Sequence, residues 1–131
     1  GLEKSEARNY QYALLNMSVA LERIAEYRSE IDHQIDDCAD VVYWAGLLGQ
    51  SSLVNLYQGK LVELYKVKGD LRAAIHSLIE KGNAYRSAGE RESALKTLSQ
   101  AQSLAKEVRD PSLMKQVEIF HSAAKFLRQV K

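Results

Sequence analysis

The residues best equipped for chemistry in this chain are His33, His76, His121 and Cys38. A metal site or a nucleophile–base pair needs such groups at ligand spacing, for example two histidines four apart on one helix face. No two of these histidines stand four apart, and none pairs with Cys38 at that spacing. They read as surface histidines, and Cys38 reads as a small core residue on an apolar stripe. Gly46-Leu47-Leu48-Gly49 is too short for a phosphate loop and lacks the Lys-Ser/Thr ending. Asp32, Asp36, Asp37 and Asp40 form a local acidic patch. Trp44, with Tyr43 and Tyr57, has the makings of an aromatic anchor for a partner. Core packing is the plainer reading of those rings. No carboxylate pair or catalytic constellation stands out, so neither enzyme activity nor a cofactor is expected.

Composition points the same way. The chain has 131 residues, 46% hydrophobic and 27% charged, the make-up of one ordinary globular domain with a real core. Its 18 Lys and Arg against 17 Asp and Glu leave a net charge of +1. A duplex binder needs many phosphate-neutralising cations, so nucleic acid is not an expected partner. One cysteine allows no intrachain disulfide, which suits a reducing, cytoplasmic setting. No apolar run reaches the ~20 residues that cross a bilayer, and no signal pattern is present. The chain begins at Gly1 and is expected to be a piece of something longer.

Elements that would position these residues are all helical. Ser5 to Arg28 carries Ala7, Tyr10, Leu14, Met17, Leu21 and Ile24 in steps of three and four, one stripe on one helix face. Gly49, Gly69 and Gly89 recur every 20 residues, and the next step lands on Arg109, beside Asp110 and Pro111. Glycine ends helices because it adopts the left-handed cap conformation without a Cβ clash. Asp110 is a natural N-cap, and Pro111 suits a first turn. Tyr65 and Tyr85 each stand four residues before a glycine, Asp70 and Glu90 directly after it, and Ala74 and Ala94 five after it. A small residue at that last position lets two helices approach closely. The spacing predicts helices near 51–68, 71–88, 91–108 and 111–130, antiparallel to their neighbours because the turns are short.

The first 48 residues admit two readings. A turn near Ser29, with Ser29-Glu30-Ile31-Asp32 as a capping box, gives helices 5–28 and 31–48. Alternatively the stripe continues in phase through Ile31, Ile35, Cys38, Val42 and Ala45 as one long coiled-coil helix. The turn is the favoured reading.

Gly82-Asn83-Ala84-Tyr85, then Gly89, Ala94, Leu98, Ala101 and Pro111, resembles a tetratricopeptide repeat. Gly82 and Tyr85 match the family's G-x2-Y, Ala94 and Leu98 its A-x3-F, and Pro111 its late proline. Leu78 stands at the family's tryptophan and Lys81 at its leucine. The second helix is longer than in the basic repeat, like the lengthened repeats of cargo-adaptor and G-protein-regulator members. The match covers about 71–111, and flanking units 31–69 and 111–130 are weaker. The fold implied is all-α, antiparallel hairpins stacked as a short solenoid, with a plain helical bundle as the alternative. The whole chain, 1–131, is expected to be a single helical domain.

What the resemblance implies about function is partner binding. First helices of such hairpins line a concave groove, and its contacts carry over to His76, Ile79, Asn83, Arg86 and Ser87. An amide such as Asn83 both donates and accepts, which suits a peptide backbone, and Arg86 can pair a carboxylate. The facing wall lies 40 residues on, at Gln116, Ile119, Ala123 and Phe126. The expected ligand is a protein segment, acidic with an apolar anchor, and the chain is an adaptor or scaffold module. The competing expectation is an assembly domain that forms a homodimer through the stripe at 7–45.

Overall fold

The computed structural model describes residues 2–26 and 30–127. They form six helices and no strand: α1 (Leu2–Glu26), α2 (Ile31–Leu47), α3 (Ser51–Lys68), α4 (Leu71–Ser87), α5 (Arg91–Val108) and α6 (Pro111–Lys125). The fold is all-α and built from antiparallel hairpins. The chain divides into two compact units, Gly1–Leu64 and Tyr65–Lys131, with α3 running across the division.

The turns obey the glycine rhythm. Gly49, Gly69 and Gly89 sit at φ 70°, 87° and 78°, and Arg109 takes the same left-handed conformation at φ 58°. After each glycine the next N–H reaches back to a carbonyl five residues earlier. Asp70 bonds Tyr65 at 2.8 Å, Glu90 bonds Tyr85 at 2.9 Å and Gln50 bonds Ala45 at 2.9 Å. These bonds satisfy carbonyls that a helix end leaves open. The acids that follow then start the next helix. Asp70 Oδ1 accepts from the Ala73 N–H, and Asp110 Oδ1 accepts from Ser112 and Leu113. Glu90 makes no such side-chain bond.

Residues 1–64 contain the α1–α2 hairpin. Glu30, in extended conformation at φ −94° and ψ 113°, starts α2, so one continuous helix through this stretch is excluded. Ser29 of the expected capping box lies outside the described residues, as do 27 and 28. The stripe of the coiled-coil reading is largely used inside this unit. Among its members whose burial is described, Met17, Ile35, Cys38 and Ala45 are buried, Leu21, Ile24, Ile31 and Val42 half-buried, and Tyr10 and Leu14 exposed. Tyr12 meets Trp44 edge-on at 5.5 Å, which ties the middle of α1 to the end of α2.

Residues 65–131 stack α4, α5 and α6, with α5 between hairpin partners. Gly82 on α4 faces Leu98 on α5, and a Cβ at Gly82 would stand 2.6 Å from Leu98 Cγ. Ala74, Ala94, Leu98 and Ala101 are fully buried at this crossing. On the other side α6 seats Leu113, Val117 and Ala124. Ser99 to His121 at 3.2 Å and Arg91 Nε to the Lys125 carbonyl at 3.2 Å show α5 and α6 antiparallel. The expected helix 111–130 stops at Lys125. The Arg91 bond occupies one of the carbonyls left open there, and 128–130 lie outside the described residues.

Candidate functional site

Asp70 caps α4 and so sets where its turns begin. Steps of four and seven then place Arg72, His76 and Asn83 on one line of the helix. Arg72 Nε lies 3.6 Å from Asp110 Oδ2, at the start of α6. Arg72 is exposed and Asp110 half-buried, and a pair so open to water contributes little stability. Its value is as a marker: α4 and α6 start at the same end, run parallel, and this line of α4 looks toward α6.

The expected single exposed face through His76, Asn83 and Arg86 is not what forms. His76 and Ser87 are exposed, Asn83 and Arg86 are half-buried, and Ile79 is buried at 5% exposure. The reason is the breadth of α4's buried arc. Ala74, Ile75, Ser77, Leu78, Ile79 and Gly82 are all buried, roughly half the circumference at about 100° per residue. Ile79 falls inside that arc and Arg86 lies in line with Ile75 and Ile79, so its stem runs along apolar surface. Ile79 is therefore a core residue. Asn83 Oδ1 and Arg86 Nε are both buried without a hydrogen-bond partner. An unmet buried polar atom costs about 1–3 kcal/mol. Two of them, one turn apart on the same helix, make an acceptor and a cationic donor in want of partners.

On α6 the expected wall is exposed. Gln116 and Ala123 face out, Ile119 is 59% exposed and Phe126 is 85% exposed. Phe126 is the C-cap of α6 rather than a residue inside it. The opposite face, Leu113, Val117 and Ala124, holds the core.

The chemistry-bearing residues are scattered. His33 Nε2 meets Glu30 Oε2 at 2.9 Å, and His76 is exposed on the α4 line that it shares with Arg72 and Asn83. His121 bonds Ser99, and burial, helped by Lys125, holds its pKa below the ordinary value. Burial pushes the Cys38 thiol up, against the pull of Lys60, and keeps it a thiol. Asp37 departs from the expected acidic patch: Asp32, Asp36 and Asp40 are exposed, while Asp37 is buried beside Cys38. Burial raises its pKa, and Arg23 only partly offsets this. Among the described residues no three His, Cys, Asp or Glu side chains come together as metal ligands. No helix among them is long and apolar enough to cross a membrane.

Trp44 is half-buried, with Tyr12 on one edge and Tyr43 at 4.9 Å. Tyr57, the third expected member of that cluster, lies under Lys60, whose Nζ is 5.4 Å from the ring centre. Sequence reasoning missed the contribution of α1. Tyr12, Trp44, Leu47 and Leu48 line an open cavity of about 420 Å³ with Asn9, Tyr10 and Ala13. Tyr12 lies off the stripe that packs on α2, and its departure from that periodicity was the available signal. No protein-family model, curated protein or solved structure matches this chain.

Proposed function

We propose that this chain is a protein-interaction module that receives a peptide or helix of a partner along the α4–α6 face of residues 65–131. The observation that carries the reading is the pair of unpartnered buried atoms, Asn83 Oδ1 and Arg86 Nε. A backbone N–H and a carboxylate are the groups that complete them. Exposed Ile119 and Phe126 supply an apolar contact within the same unit, so the fitting ligand is acidic with one large apolar residue. The tetratricopeptide resemblance of 71–111 supports the same surface, because it puts the ligand on the first helix of the hairpin. In this reading the chain works as an adaptor or scaffold in the cytoplasm and carries out no reaction.

The test is a titration against an array of acidic peptides, each with one large apolar residue. The Asn83→Ala, Arg86→Ala double variant should bind the best peptide about ten-fold more weakly or worse, with its helical spectrum unchanged. Wild-type affinity in the folded double variant would refute the α4 site. Failure of every peptide to bind the wild-type chain would refute the ligand class.

A further inference from the structure

The outer face of α1 carries a second pattern that partner binding at α4 does not use. Arg8, Tyr12, Leu15, Val19 and Glu22 follow one another in steps of four, three, four and three, one line along the helix. All five are exposed, Tyr12 at 61%, Leu15 at 63% and Val19 at 37%. They lie away from Ala13, Met17 and Ala20, which are the buried face of α1. Three large apolar side chains in a row on an outer helix face are a surface that water does not favour. Tyr12 is held edge-on by Trp44, so little side-chain freedom is lost when that ring is covered.

The charges at the ends say what covers it. Leu15 is the midpoint, with Arg8 seven residues before it and Glu22 seven after, about 10.5 Å away on each side. A second α1 laid antiparallel, with the two-fold axis at Leu15, sets each Arg8 against the other copy's Glu22. It also sets Leu15 against Leu15 and brings Tyr12 and Val19 of the two copies together. A parallel arrangement in the same register puts Arg8 on Arg8 and Glu22 on Glu22, which is repulsive at both ends. The stripe is complementary to itself in one orientation, as a two-fold interface must be.

We infer that α1 is a homodimerisation surface, pairing antiparallel with a second copy of this chain through Tyr12, Leu15 and Val19, with Arg8–Glu22 pairs fixing orientation. The surface is distinct from the stripe already used inside the α1–α2 hairpin. One helix face of this length makes a small interface, of the kind found in weak and transient association.

Sedimentation equilibrium over a wide concentration range reads the association directly. The wild-type chain should pass from monomer to dimer. Leu15→Asp, Arg8→Glu and Glu22→Arg should each weaken dimerisation about ten-fold or more, because like charges or a buried carboxylate then face each other. All three positions are exposed, so the helical spectrum and thermal midpoint of the monomer should stay at wild-type values. The decisive arm mixes the Arg8→Glu chain with the Glu22→Arg chain. Each repels itself, but together they restore opposite charges at both ends, and a one-to-one heterodimer should form. A wild-type chain that stays monomeric throughout overturns the inference. So does a dimer indifferent to the three substitutions, or a mixture that fails to recover association. Capture of a different protein on this face by a chain that remains monomeric also overturns it.

Discussion

Arg109 is held at φ 58°, the single non-glycine residue among those described to adopt a left-handed backbone. The three preceding turns put glycine there. An L residue in that region carries about 1–2 kcal/mol of steric strain, and glycine returns part of the gain as unfolded-chain entropy, about 0.4–1 kcal/mol. Arg109→Gly should therefore stabilise the chain by about 0.5–1 kcal/mol, read as a higher midpoint in chemical denaturation. Asp37 makes a second residue-scale case. Its folded pKa is raised above the ordinary 3.8, by burial first, so the folded state takes up a proton more readily than the unfolded state. Stability falls as pH rises from 3.8 through the folded pKa and stays lowered above it. Asp37→Asn should raise the thermal midpoint at pH 7, and the advantage should shrink as pH is lowered toward the ordinary carboxylate value. A variant less stable than wild type at pH 7 would show that Arg23, not burial, dominates at this site. The glycine positions were legible from spacing alone, because a left-handed turn is a property of one residue. The inward turn of Asp37 was not, because four nearby aspartates read as a solvated patch until the neighbours of each are known.

The packing of one helix on another is set at α4 and α5. Gly82 is tight because Leu98 fills the space that a Cβ would take. Gly82→Ala should cost about 1–3 kcal/mol even though alanine favours helix, since overpacking outweighs a propensity gain of about 1 kcal/mol. In a Leu98→Ala background the clash is removed, and the same change should become neutral or stabilising. A double-mutant cycle with zero coupling would show that the crossing relaxes freely. Ala94 is fully buried in the same crossing, and Ala94→Leu should lower stability by about 1–3 kcal/mol, visible as a reduced thermal midpoint. At this scale the sequence spoke clearly. Small residues five after Gly69 and Gly89 announced close approach, and the buried Ala74 and Ala94 are that approach. The width of the arc that α4 buries was not announced. It depends on how many neighbours a helix has, and periodicity along one helix does not count them.

At the level of the whole molecule, Asp37 and His121 make stability respond to acid pH with opposite sign. His121 has its folded pKa lowered below 6.5, by burial and then Lys125, so the unfolded state binds the proton more readily. Its contribution is present above pH 6.5 and is lost as pH falls from there through the folded pKa. Replacing it with glutamine should flatten the stability profile between neutral and mildly acidic pH, and an unchanged slope would assign that slope to other groups. The sequence by itself determined the helical class, the turns at 49, 69, 89 and 109, the helices that these turns bound to within a few residues, and the cap at Asp110. These are local: each depends on residues within one or two turns, where backbone sterics and hydrogen-bond geometry act. Tertiary structure decided which stripe each helix hides. Ile79 went to the core, Asn83 and Arg86 were left half-buried with unmet polar atoms, and Tyr10 and Leu14 of the expected α1 stripe stayed exposed. Apolar stripes on one helix compete for burial, and the winner is set by the shape and number of the helices that pack against it, which are fixed by contacts between residues distant along the chain.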